Sequence, residues 1–172
     1  MKHLFNDISK DEKNRILEMH KTATDKHYLT ENYNINDIMN NIRSEISKDG
    51  PKEIEAKMLA AWRRCKTQHK YVGLSVFPED EIVRILFYLL ICARTEKYIK
   101  DETEAGNPPP PEILRKFNEQ RARVLNDYAD RLKEYSETQK NIKELEPDFK
   151  QELEWFYECI KNDAVLMGLV GG

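Results

Sequence analysis

Glycine is scarce in this chain: six residues in 172, three of them among the last five. Loops that cradle phosphate need closely spaced glycines so that backbone amides can approach the anion, and here they have nowhere to form. The sequence accordingly has no P-loop, no Gly-x-Ser-x-Gly and no dinucleotide-binding glycine pattern. Histidine is rarer still. His3, His20, His27 and His69 include no HExxH pair, and none has a Cys or Asp pair beside it. We therefore assign no catalytic residue, no metal ligand and no cofactor, and expect no enzyme. A helical metal-dependent hydrolase would need His20 or His27 to meet several carboxylates in space.

Cysteine is equally thin. Cys65, Cys92 and Cys159 lie far apart on apolar stripes, with no CxxC spacing, which reads as buried free thiols in a reducing compartment. Long hydrophobic runs are missing too. Met1–Asp7 lacks a signal-peptide apolar region, and no apolar run approaches the ~18 residues that a membrane span requires. These absences predict a soluble protein without a membrane partner, cytoplasmic, or in the host cytoplasm or virion if the gene is viral.

What the chain has is charge, 34% of its residues, and one exception to it. Ile82–Ala93 is apolar around nearly its whole circumference, so other helices must cover it. Arg84 is the odd residue in that stretch. One turn in, it either reaches solvent and pairs with a carboxylate such as Asp80, or forms a buried ion pair with another helix and becomes a candidate site. Pro78-Glu79-Asp80-Glu81 opens the helix, with acids at the positive end of its dipole.

The remaining periodicity is helical, and the predicted fold is all-α: about six helices around a central apolar helix at 78–100, with a long C-terminal antiparallel hairpin. Ser9 and Glu12 have capping-box spacing, and Ile16, Leu17, His20 and Ala23 give the following helix one apolar face. Residues 1–30 are thus an N-terminal helix and linker, either detachable or packed on the body, and 35–172 a single helical domain. That domain divides into a helical core at 35–100, a hairpin at 112–167 and an apolar tail at 168–172. Within the core, Ile35, Ile38, Met39, Ile42 and Ile46 mark one helix, and Asp49-Gly50-Pro51 separates it from another carrying Ile54, Met58, Ala61, Trp62 and Cys65. Tyr71–Phe77 is a loop or a short extended piece, the only plausible strand. Pro108–Pro111 is a semi-rigid spacer or a ligand for an aromatic groove. From Glu112 the apolar spacing runs through Ile142 and Leu145, predicting a helix of about 30 residues, and Pro147-Asp148 turns the chain into the last helix.

Two segments are candidate partner surfaces. The densest basic stretch, Arg63-Arg64-Cys65-Lys66-Thr67-Gln68-His69-Lys70-Tyr71, ends a helix, where cations complement the dipole; Arg63, Arg64, Lys66 and Lys70 also suit phosphate or an acidic partner, with Trp62 and Tyr71 available to stack. The C-terminal Leu166, Met167, Leu169 and Val170 form an apolar tail, expected to dock on another chain or tuck against the body. The partner is then a protein or a second copy of the chain, or nucleic acid through residues 62–71.

Asp11–His20, with Ala23-Thr24 and His27-Tyr28-Leu29, resembles a short N-terminal segment that recurs in uncharacterised tailed-phage proteins. The resemblance spans residues 9–30 and implies a phage gene product with a modular N-terminal tag used in assembly or packaging. Taken together, these readings predict a non-enzymatic interaction or structural protein, a phage virion component or assembly factor. The alternative is a small helical regulator that binds nucleic acid or a host factor through residues 62–71.

Overall fold

The structure is a computed structural model that describes residues 10–18 and 34–168. Among these residues the chain is all α, with no strand. It divides into two units, Met1–Asn34 and Ile35–Gly172. The first contains α1 (residues 10–18), whose Ile16 and Leu17 are exposed. Ser9, His20 and Ala23, expected to cap and face this helix, lie outside the described residues.

The second unit runs α2 (Ile35–Ser47), α3 (Pro51–Cys65), a single 3-10 turn (Leu74–Val76), α4 (Glu79–Glu104), α5 (Pro111–Thr138), α6 (Lys140–Lys143) and α7 (Phe149–Lys161). α4 touches α2, α3, α5 and α7, and it buries ten residues on every side, from Ile82 to Ile99. Burying each Ile or Leu here contributes roughly 1.5–3 kcal/mol before chain entropy is counted. The helix begins as its sequence predicts. Pro78 donates no amide but its carbonyl accepts from Glu81 and Ile82, and three acids occupy the first turn.

α4 extends to Glu104, past the end expected at residue 100. Its polar end is held by the pairs Lys97–Asp101 and Lys100–Glu104 and by the Thr103 hydroxyl donating to the Ile99 carbonyl. Gly106, at φ 85°, closes it: the Asn107 amide donates to the Glu102 carbonyl and the Gly106 amide to that of Thr103. α5 begins inside the proline run, with Pro111 as its first residue and the Pro110 carbonyl accepting from Ile113.

Three expectations need correction. The long helix does not run through to Leu145, because Gln139 is extended and separates α5 from the short α6. The Ser136 and Thr138 hydroxyls donate back to the Lys133 and Tyr135 carbonyls near the break, side-chain bonds that compete with continued winding. Restarting as α6 buries Ile142. Of the two alternatives for Tyr71–Phe77 the strand falls and the loop holds. The Gly73 amide donates to both carboxylate oxygens of Glu152 on α7, at 3.0 Å each, so this backbone is capped by a side chain instead of a neighbouring strand. The third correction concerns thiols. Cys65 and Cys159 form a disulfide between the ends of α3 and α7, 94 residues apart in sequence, leaving Cys92 as the free cysteine. Cys92 is buried, and desolvation pushes its thiol up to about 11, so it stays protonated. The free-thiol argument for a reducing compartment falls with the pairing.

Candidate functional site

The end of α3 is built from two faces. Met58, Ala61, Trp62 and Cys65 point into the core, which leaves Arg63, Arg64 and Lys66 outside on the last turn. The turn after it is closed by the Thr67 and Gln68 amides donating to the Arg64 and Cys65 carbonyls, so His69 and Lys70 follow directly on the surface.

Of the four expected cations, Arg64 is committed to the fold. Its Nε and Nη2 donate to Asp163 Oδ2 at 2.9 and 2.8 Å, and the Asp163 side chain is only 7% exposed. The other oxygen of Asp163 accepts the Leu166 amide at 3.0 Å, so this one carboxylate ties the end of α3 to the turn after α7. Arg63, Lys66 and Lys70 pair with no carboxylate among the described residues. Lys57, Lys97, Lys100, Arg115 and Lys116, by contrast, each pair with an acid four positions away. The sequence explains the difference. From Met58 to Pro78 it contains four Lys/Arg and neither Asp nor Glu, so no partner is available at helical spacing. Lys66 lies with its Nζ 5.4 Å from the Trp62 ring centre.

The rings expected to stack on a partner are not free to do so. Trp62 and Tyr71 are both 3% exposed, edge-on to each other at 5.2 Å and both against Phe156. The Tyr71 hydroxyl has no hydrogen-bond partner among the described residues, and burial with nearby Glu152 pushes it up to about 12. A different pair occupies the surface: the exposed imidazole of His69 lies flat on the half-buried indole of Trp155, centroids 4.7 Å apart and planes within 6°. Trp155 sits beside the apolar stripe of α7 (Phe149, Leu153, Phe156, Ile160). It also walls a cavity of about 340 Å³ between α5 and α7 with Arg121, Leu125, Glu154 and Glu158.

The remaining interior polar groups hold helices together. Tyr157 donates to Glu96 at 2.5 Å, and Arg121 and Lys161 approach the other Glu96 oxygen at 3.5 and 3.3 Å, joining α4, α5 and α7. Burial and this carboxylate hold the Tyr157 phenol well above its usual range. Arg94 donates from Nε and Nη2 to the Leu166 carbonyl at 2.9 and 2.6 Å, and desolvation lowers its pKa. Glu152 is 3% exposed; burial raises its carboxyl pKa, and the backbone amides of residues 72–74 oppose the shift.

Other expected site residues are corrected here. Arg84 forms no buried pair: its side chain is 64% exposed and meets Glu81, not Asp80, at 3.5 Å. Leu166 and Met167 are buried in the chain's own core, because Asp163 and Arg94 fold the turn that carries them inward, so they offer nothing to a partner. Leu169 and Val170 lie outside the described residues, as do His3, His20 and His27. Among the described residues no three His, Cys, Asp or Glu side chains group as metal ligands would, and no helix is long and apolar enough to cross a membrane. No protein-family model, curated protein or solved structure matches the chain.

Proposed function

We propose that the chain is a non-enzymatic interaction protein, a virion component or assembly factor of a tailed phage, that engages its partner through the end of α3. One contrast carries the interaction reading. Glu96, Glu152, Arg94 and Asp163 are all engaged in holding separate elements together, while Arg63, Lys66 and Lys70 have no carboxylate partner among the described residues and lie in a stretch without a single acid. The phage context rests on the resemblance in residues 9–30. Of the host cytoplasm and the virion, the virion suits a Cys65–Cys159 disulfide better, because cytosolic thiols are kept reduced.

The test is recovery of the tagged chain from cells carrying its native genome, with the mass of the assembly measured. Virion proteins in fixed ratio to the chain are expected, and their loss on changing Arg63, Lys66 and Lys70 together to Ala. Recovery of the chain alone, at the mass of a monomer, would reject the reading. A second reading, a small regulator working through residues 62–71, is favoured by the same acid-free basic stretch.

A further inference from the structure

We infer that the end of α3 is a binding site for single-stranded nucleic acid, in which one base stacks on His69 and the flanking phosphates meet Arg63, Lys66 and Lys70. This rests on the second reading above and names its ligand.

Three observations converge. The cations have no carboxylate partner among the described residues and lie in a stretch without a single acid, so a phosphate displaces no salt bridge on arrival. Arg64 cannot join them, since Asp163 holds it, and the electrostatic footprint is therefore three charges. The rings supply what charge alone does not. Trp155 covers one face of the His69 imidazole in a parallel stack while His69 itself is exposed, which leaves the opposite face open to solvent. A base laid there continues the column Trp155–His69, which Tyr71 meets with its plane perpendicular to both rings at 6.2 Å. Every base has a π-face, so this contact is indifferent to sequence.

The same geometry selects among polyanions. Bases in a duplex are already stacked on one another and present no free face to His69, so a single strand gains more than a duplex. An acidic polypeptide could meet the three cations, yet it has nothing to place on the column. Glu154 and Glu158 line a cavity together with Trp155, and their charge disfavours a phosphate there.

The experiment is fluorescence anisotropy of a labelled oligothymidylate with the full chain at low salt. Expected are saturable binding, a slope of log affinity against log salt of about −2 for three phosphates on a single strand, and loss of binding in R63A/K66A/K70A with an unchanged melting temperature. An abasic strand of equal length keeps the phosphates and lacks the bases, and is expected to bind about tenfold more weakly. No binding of the oligothymidylate by the parent chain at low salt would falsify this inference, while the regulator reading falls only if a host factor from native cells is not retained through residues 62–71 either. Duplex or acidic polypeptide bound as tightly as the single strand, or abasic strand bound equally well, overturns the stacked-base site and leaves a general cation surface standing.

Discussion

Arg63 and Arg64 are adjacent in sequence and opposite in use. Arg64 lies against a nearly buried aspartate at a joint that also contains a disulfide, while Arg63 is exposed and pairs with no carboxylate among the described residues. The same contrast extends to whole regions. The inner side of the α3–α7 joint is fixed covalently and by charge through Cys65–Cys159, Arg64–Asp163 and the Asp163 bond to Leu166. The joint between the 72–74 turn and α7 rests on one buried carboxylate, Glu152. Rigidity at the first joint holds a set of free cations in place, so a locked interior and an unpaired exterior belong to one device.

The strongest way to break the contrast is to remove the covalent part. Cys65→Ser with Cys159→Ser opens a loop of 94 residues, for which the chain-entropy model gives a loss of about 4–5 kcal/mol. Urea unfolding of the double variant should show that loss, and an unchanged midpoint would mean that the joint is carried by packing alone.

Glu152→Gln addresses the second joint and is expected to cost about 1–3 kcal/mol at acid pH, because the amide NH2 that replaces one oxygen cannot accept from the buried Gly73 amide, whereas the hydroxyl oxygen of a protonated carboxyl still can. The pH dependence has a definite sign. Burial raises the Glu152 carboxyl above its ordinary value of 4.5, so the folded chain holds this proton more tightly than the unfolded one does. Its contribution is full below that ordinary value and declines as pH rises through the folded value. The advantage of Glu152 over Gln should therefore shrink from acid towards neutral pH in paired melting curves; a gap that widens instead would show the amides of residues 72–74 dominating the shift.

The smallest effect sharpens the original pair. Arg64→Ala is expected to cost about 1 kcal/mol, since the arginine is half exposed and solvent screens much of the attraction to Asp163. Arg63→Ala should fall within about 0.5 kcal/mol of the parent. Equal losses in the two variants would erase the distinction between a structural and a free cation.

Much of the fold is legible in the amino-acid order, and the reasons are local. α4 follows from a run that is apolar on all sides behind a proline and three acids, and α2 and α3 from isoleucine spacing divided by Gly50 and Pro51. What is hidden depends on groups far apart. The periodicity through Ile142 continues across the break at Gln139, so the pattern gives no sign of it. Glu152 looks like any other solvated acid until Gly73 is seen beneath it; the nearest local signal is that lone glycine, where an added Cβ would lie 2.5 Å from Phe149 and 2.7 Å from a Glu152 oxygen. At the candidate site the basic residues are readable. The capture of Arg64 by an acid 99 positions away, the burial of Trp62 and Tyr71 and the pairing of His69 with Trp155 are not.

The bond between Cys65 and Cys159 also makes the stretch between them a closed ring, from the end of α3 through α4 and α5 to the end of α7. The exposed connection at 105–108 lies on that ring. A protease that cuts there opens the ring without dividing the molecule: both pieces stay covalently joined beside the Arg63–Lys70 surface, and they separate only when the sulfurs are reduced.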